Sequence, residues 1–114
     1  MVEKEQCTVK EHLGGGNGRA LVYNIRSAEQ LGGVGRLYAR VVLEPGCSVG
    51  WHQHQGETEP YYILKGQADF IDNDGSVTKV GPGDICSIED GQFHSIENNY
   101  DEPMEMIALI YNLI

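Results

Sequence analysis

The sequence predicts an all-β domain, folded as an antiparallel sandwich or barrel. Roughly nine or ten short apolar runs with alternating side chains follow one another along the chain, as strands do. Gly and Pro residues, including 15 glycines, separate these runs where turns are expected. No helical pattern continues beyond one turn. At 114 residues, the chain has the length of one domain with a single core.

Residues 1–18 are predicted to form an N-terminal arm that ends in a glycine-rich loop. Weak alternation over residues 1–13 also fits an edge strand, and the segment GGGNG follows at 14–18. A phosphate-binding loop would need a following Lys-Ser/Thr pair, or a third glycine that opens a helix, and neither is present. Residues 19–23 predict a strand instead, so the barrel is expected to span 19–114.

A strand with two distinct faces is predicted from Arg36 to Leu43. Before it, Ser27 and Gln30 have the spacing of a capping box, but the glycines that follow end any helix after one turn. One face of the strand carries Arg40, and an arginine can bind a carboxylate through two hydrogen bonds. Arg40 is therefore a candidate anchor for a substrate carboxylate if its face is the inner one.

The second half of the chain predicts a series of short strands and an apolar C-terminal strand. The short strands are expected at residues 61–64, 67–71, 77–80 and 85–88. Asp72-Asn73-Asp74-Gly75 is a hairpin turn, since Asn and Gly tolerate positive φ. The segment 103–114 is apolar on nearly both faces from Ile107 onward, so we expect both faces to be covered. The cover is either the N-terminal strand or a second subunit, and we favour a homodimer.

Two histidines and a glutamate predict a metal site in the middle of the chain. His52 and His54 are separated by one residue, so on a strand both side chains point to the same face. Glu59 opens the next apolar run, where a hairpin would bring its carboxylate beside the two imidazoles. Glu57 is a less favoured alternative because it lies in the Gly56 turn. His94, at the start of a later strand, is a fourth candidate for binding a divalent transition metal.

The spacing of these residues resembles the paired motifs of the cupin superfamily. The first motif, within 46–66, matches at each fixed position, which are Gly46, His52, His54, Glu59 and Gly66. The second, within 83–98, matches at Gly83, Gly91, His94 and Asn98. It carries Glu89 where the family usually has proline, which removes a rigid turn former but no ligand.

The resemblance implies a small single-domain cupin over residues 1–114, with the double-stranded β-helix or jelly-roll fold and the site inside the barrel. It implies one divalent transition metal per chain, with three imidazoles and one carboxylate as ligands. Ligand type alone does not choose among Fe, Mn, Ni, Zn, Co and Cu. Tyr61 shares a face with Glu59 by alternation, so its hydroxyl either donates a hydrogen bond to a bound oxygen or fills the barrel.

Three functions remain open for such a site. We favour a metal-dependent enzyme that acts on a small oxygenated metabolite, and within it an oxygenase. The alternative enzyme is a non-oxidative isomerase, lyase or decarboxylase for a sugar or organic acid. The third is a non-catalytic protein that binds or senses a metal or small ligand. Fold alone does not choose among these activities.

Composition excludes several classes of partner. The net charge of −9 argues against nucleic acid and against an anionic membrane surface, which leaves a small molecule as the expected ligand. No apolar run approaches the roughly 20 residues that cross a bilayer. The three cysteines have no CxxC spacing, so we expect no disulfide framework and a cytoplasmic location.

Overall fold

A computed structural model describes all 114 residues as eleven strands and a single 3₁₀ turn, Leu13–Gly15. The strands are β1 (Gln6–Glu11), β2 (Arg19–Arg26), β3 (Gly35–Leu43), β4 (Ser48–Gln53), β5 (Glu57–Thr58), β6 (Tyr61–Lys65), β7 (Ala68–Ile71), β8 (Val77–Val80), β9 (Ile85–Cys86), β10 (Phe93–Glu97) and β11 (Met104–Asn112). No helix is long and apolar enough to cross a membrane.

The strands form two antiparallel sheets. The larger sheet has the order β1-β2-β3-β11-β6-β9, and β5 also pairs with β11. The smaller sheet has the order β4-β10-β7-β8. Apolar side chains from both sheets make one buried cluster, which includes Val41, Ile63 and Met106 from the larger sheet and Phe70 and Ile96 from the smaller one. This architecture confirms the predicted double-stranded β-helix.

Strand β3 shows how the sequence divides the inner face from the outer face. Ala39, Val41 and Leu43 are buried, whereas Arg40 between them lies on the outer face. There the Arg40 guanidinium contacts the carboxylates of Glu5 and Glu105. The structure therefore does not bring Arg40 to the barrel interior, and its predicted role as a substrate anchor has no support. Apolar side chains occupy the inner face because burial of the guanidinium would cost more than burial of alkyl groups.

The turns and the edge strand follow the sequence patterns closely. β1 is a fully exposed edge strand that pairs with β2, so most of the predicted arm belongs to the sheet. Gly75 has φ +84° in the hairpin between β7 and β8. Ser27 and Gln30 exchange the two hydrogen bonds of a capping box around one turn. β9 is shorter than predicted, because the chain leaves the ladder after Cys86.

The C-terminal strand β11 lies in the middle of the larger sheet, between β3 and β6. Its inner side chains, such as Met106 and Ala108, are buried, and outer ones such as Ile107 are half-buried. A cover for the outer face is not provided by β1, which lies at the sheet edge. The predicted homodimer and the boundary at residue 18 stay predictions.

Candidate metal centre

The four predicted ligands come together at one end of the barrel interior. His52 ends the inner face of β4 and His54 follows the strand, while His94 lies opposite His52 in the register of β10. Glu59 lies between β5 and β6, on the other sheet. Gly56, with φ +71°, lies in the turn that leads from β4 into β5, which pairs with β11 of the larger sheet, and Glu59 follows β5. The pairing of β4 with β10 and the turn at Gly56 thus bring the residues of the sequence motifs into one cluster.

The donor atoms lie at the separations that a shared metal ion requires. The Nε2 atom of His52 lies 3.0 Å from the Nε2 atoms of both His54 and His94. Glu59 Oε1 lies 3.4, 3.1 and 3.2 Å from the Nε2 atoms of His52, His54 and His94 respectively. All four donors lie within 4.8 Å of one another. His54, His94 and Glu59 are buried, and His52 is half-buried.

The tautomers of two histidines direct lone pairs toward the centre of the cluster. His52 Nδ1 donates a hydrogen bond to the Gly50 carbonyl at 2.6 Å, and His54 Nδ1 donates to Glu57 Oε1 at 2.9 Å. In the neutral imidazoles both Nε2 atoms are then unprotonated acceptors, and they lie only 3.0 Å apart. Two facing lone pairs repel each other unless a cation lies between them. The residues present therefore fit a metal ion.

The distances also indicate which coordination positions stay open. In an octahedron with donors about 2.1 Å from the metal, neighbouring donors lie about 3.0 Å apart and opposite donors about 4.2 Å apart. Five of the donor pairs lie at 3.0–3.4 Å, as neighbouring positions do. Around an octahedral ion, four donors with five neighbouring pairs would leave two open positions next to each other. The set therefore suits a ligand that binds through two oxygens.

Electrostatics favour an ionised carboxylate at Glu59. Burial alone raises the pKa of Glu59, but the hydrogen bonds that protonated rings of His52, His54 and His94 would donate outweigh it and lower the pKa well below the usual value. Burial lowers the pKa of His94, against the opposing effect of Glu59. The Glu59 hydrogen bond raises the pKa of His54. A cation in the centre would take the place of these shared protons.

Glu57 and Arg36 form an outer layer behind His54. Arg36 Nε and Nη2 bind the two Glu57 oxygens at 2.7–3.2 Å, and Glu57 Oε1 accepts from His54 Nδ1. The Arg36 hydrogen bonds lower the pKa of Glu57 against the effect of burial, so the carboxylate stays charged. A carboxylate behind a ligating imidazole fixes the ring orientation and raises its basicity. Glu57 is thus a positioning residue for His54, rather than the alternative ligand considered from the sequence.

Tyr61 contacts the cluster without entering the open positions. Its hydroxyl donates to Glu59 Oε1 at 3.0 Å, and its ring stacks on His94 with 5.1 Å between ring centroids. Burial, and next the Glu59 charge, raise the pKa of Tyr61 well above its usual value, so the hydroxyl keeps its proton. Tyr61 therefore orients the glutamate and fills the barrel, and its hydrogen bond is made to a ligand of the site.

A cavity of about 1330 Å³ adjoins the ligand cluster and opens to the surface. His52, His54, Glu59 and Tyr61 line it together with inward apolar residues of the larger sheet. Trp51, which alternation places opposite the histidines, lies on the outside and stacks on Phe93 at 5.7 Å. The cavity therefore connects the ligand cluster with the surface.

The sequence of residues 39–110 matches the cupin-domain family. The chain belongs to the cupin superfamily. The match covers both sequence motifs and most of the two sheets, so the resemblance drawn from the motif spacing is confirmed.

Three of the matches carry descriptions of function. An oxalate-binding protein of Thermotoga maritima is 41% identical over 99 residues, which cover 87% of this chain and 81% of that protein. The crystal structure described as a predicted oxalate decarboxylase from Thermotoga maritima has a TM-score of 0.92 and 38% identity, with 99% of this chain and 100% of that chain covered. Dimethylsulfoniopropionate lyase DddQ of Ruegeria pomeroyi is 36% identical over 74 residues, 64% of this chain but only 36% of that protein.

These descriptions bear on the three functions that the sequence left open. Oxalate binding and oxalate decarboxylation fit the binding and decarboxylase alternatives, and none of the three relatives is described as an oxygenase. The alternatives are therefore better supported than the oxygenase interpretation. The cluster could hold one metal ion, as predicted, and the identity of the metal stays open. The cytoplasmic location stays a prediction.

Proposed function

We propose that this cupin is a metal-dependent binding protein for small carboxylates that chelate through two oxygens. The observation that carries the proposal is the arrangement of four donor atoms with five neighbouring pairs at 3.0–3.4 Å, which leaves two adjacent positions open. Those positions adjoin a cavity that a small molecule can enter. The oxalate-binding relative from Thermotoga maritima supports a ligand of this class.

The charges of the cluster favour an anion. A bound divalent ion supplies two positive charges and the coordination positions for the ligand oxygens. His52, His54 and His94 contribute as neutral imidazoles, and Glu59 contributes one negative charge. With a divalent ion the site would have a net charge of about +1 among largely buried side chains, where the attraction for a carboxylate is stronger than in water.

Binding is better supported than decarboxylation because each carboxyl group and hydroxyl beside the cluster is already held by another contact. Release of formate from oxalate requires a proton on the carbon that loses carbon dioxide. Glu59 belongs to the ligand set, Tyr61 donates its proton to Glu59, and Glu57 is held by Arg36 and His54. The remaining acidic residues on the cavity lining, Glu3 and Glu29, are exposed. No carboxyl group beside the cluster is therefore free to act as the general acid.

The test is calorimetric titration of oxalate into metal-free protein and into protein reloaded with Mn²⁺, Ni²⁺, Co²⁺ or Zn²⁺. We expect binding of one oxalate per metal-loaded chain and none to the metal-free protein. His54→Asn should abolish both metal and oxalate binding. His12→Asn is the matched control, because His12 lies outside the cluster and has a left-handed backbone that asparagine accepts.

Two results would show catalysis and would contradict a function limited to binding. Formate released from oxalate by the metal-loaded protein would establish the decarboxylase alternative and overturn the proposal. Oxygen consumption with Fe²⁺ and a small organic acid would restore the oxygenase interpretation. If oxalate binds with none of these metals, the oxalate-binding relative no longer supports the proposed ligand class.

A further inference from the structure

The glycine-rich loop at 14–18 packs backbone to backbone against β4, the strand that carries His52. A Cβ atom at Gly50 of β4 would lie 2.3 Å from the Gly14 carbonyl oxygen and 2.7 Å from the Gly16 amide nitrogen. A Cβ atom at Gly16 would lie 2.2 Å from the Ser48 carbonyl oxygen. The loop and the strand therefore approach this closely only because glycine has no side chain.

Hydrogen bonds fasten the loop to β4 and to the barrel. The Ser48 N–H donates to the Asn17 carbonyl, and the Asn17 N–H donates to Ser48 Oγ, each at 2.9 Å. The Gly16 N–H donates to the Leu13 carbonyl at 3.0 Å, and the Leu13 side chain packs against the apolar core. Both ends of the contact with β4 are thus held in place.

This contact lies directly behind a candidate metal ligand. His52 Nδ1 donates to the Gly50 carbonyl at 2.6 Å, and a Cβ atom at Gly14 would lie 3.2 Å from that same oxygen and 3.5 Å from His52 Nδ1. The His52 side chain is 23% exposed, whereas those of the other three ligands are at most 7% exposed. The barrel itself encloses His52 least, and the loop covers its Nδ1 side.

We propose that the turn Leu13–Gly16 is a positioning element for His52, which fixes the Gly50 carbonyl and through it the direction of the ring. The carbonyl keeps the proton on Nδ1, so the Nε2 lone pair points to the centre of the cluster. The turn thus has the role for His52 that Glu57 has for His54. The inference goes beyond the proposed function, because it concerns metal affinity and holds for any small molecule that binds there.

The test compares Gly14→Ala with Gly15→Ala, two replacements in the same turn. Both glycines have positive φ, +62° and +82°, so alanine strains the backbone in both variants. A Cβ atom at Gly15 meets nothing within 4 Å, whereas at Gly14 it presses on the Gly50 oxygen and the His52 ring. Gly15→Ala is therefore the matched control for strain without contact.

The measurements are the affinity for Co²⁺, by competition with a chromophoric chelator, and the visible absorption spectrum of bound Co²⁺, which reports ligand geometry. We expect Gly14→Ala to weaken Co²⁺ binding about tenfold, the lower end of the range for outer partners of a ligating histidine, and to change the spectrum. Gly15→Ala should keep the affinity and the spectrum of the unmodified protein. Because alanine is strained at both positions, both variants should lower the urea midpoint of the metal-free protein.

Ser48→Ala tests the same inference without adding a methyl group to the turn. It removes the Oγ atom that accepts from the Asn17 N–H and so loosens the attachment of the loop to β4. We expect weaker Co²⁺ binding in this variant too, by a smaller factor than in Gly14→Ala, because the Gly50 carbonyl is still present for His52.

The outcomes separate positioning of His52 from general stabilisation of the fold. Lower urea midpoints with unchanged Co²⁺ affinity and spectrum in Gly14→Ala and Ser48→Ala would overturn the inference. Equal losses of affinity in Gly14→Ala and Gly15→Ala would also overturn it, since backbone strain would then be the cause. If the unmodified protein binds no Co²⁺ and no other divalent metal, the inference and the proposed function fail together.

Discussion

Replacing Glu57 by glutamine tests whether the outer layer behind His54 sets the metal affinity. Glu57 Oε1 accepts from His54 Nδ1 at 2.9 Å, and Arg36 holds both oxygens of the carboxylate. Glutamine keeps the shape and one oxygen acceptor but removes the negative charge. His54 then becomes a less basic ligand, and the amide can rotate to present its NH₂ group instead. We expect metal affinity to fall without loss of the fold.

The size of the effect follows from the contacts of Glu57. Mutation of such outer partners lowers metal affinity about 10–100-fold, which corresponds to about 1.4–2.8 kcal/mol. Because the glutamine oxygen can still accept from His54, we expect about tenfold for Glu57→Gln. Glu57→Ala removes the acceptor and should reach about 100-fold. The Arg36 side chain is 58% exposed, so loss of its ion pair should change the folding free energy by only about 0–1 kcal/mol.

The assay is competition for Co²⁺ or Zn²⁺ between the protein and a chromophoric chelator, with thermal unfolding of the metal-free protein measured in parallel. Glu44→Gln is the matched control, because Glu44 also pairs with an arginine, Arg19 at 3.2 Å, but lies away from the cluster. It should leave metal affinity unchanged. Equal metal affinity in Glu57→Gln, Glu57→Ala and the unmodified protein would refute the positioning role.

Three further predictions concern groups around the site and in the core. Tyr61→Phe removes the hydrogen bond to Glu59 but keeps the ring, and should cost about 1.5–3 kcal/mol of folding stability in urea denaturation. Asn98→Ala removes two bonds from its amide to backbone carbonyls, at 2.9 and 2.8 Å, and leaves buried acceptors unpaired, so we expect a loss of about 2–4 kcal/mol in the same assay. Burial raises the pKa of Cys86 to about 11, so its thiolate fraction at pH 8 is only about 10⁻³ and alkylation by iodoacetamide, followed by mass spectrometry, should be slow.

Each of these predictions has an internal comparison. Asn99→Ala, at an exposed neighbour of Asn98, should change stability by less than about 0.5 kcal/mol. Cys7 is exposed on β1 and should react much faster than Cys86 in the same sample. Comparable reaction rates of the two thiols, or unchanged stability in Asn98→Ala, would contradict the burial of these groups. For Tyr61→Phe, an unchanged urea midpoint would show that the Glu59 contact contributes nothing to folding.

Much of this structure can be predicted from local sequence. The alternation on β3 separates the inward residues Ala39 and Val41 from the outward ones because side chains of a strand point to opposite faces. The spacing of His52 and His54 predicts that both side chains share one face for the same reason. The hairpin turn at 72–75 is also predicted by local sequence, since Asn and Gly accept the backbone angles that it requires. These features need no knowledge of distant parts of the chain.

The remaining features depend on contacts between distant segments. Alternation placed Arg40 on one of two faces but did not decide which was inside; its partners Glu5 and Glu105 belong to strands far away in sequence. The role of Glu57 depends on the turn at Gly56, which directs its carboxylate to His54 Nδ1 and to Arg36. The three-residue spacing from His54 to Glu57 is a signal that could have indicated this contact.

Three of the four candidate metal ligands come from a different sheet than most of the apolar cavity lining. The histidines lie on or beside β4 and β10 of the smaller sheet, whereas β2, β3 and β11 of the larger sheet supply most of that lining. A substitution on the inner face of the larger sheet, such as Val41→Thr, therefore leaves the three histidines in place. Because the histidines and these inner residues belong to different sheets, substitutions in one sheet test metal binding, and substitutions in the other test the cavity lining.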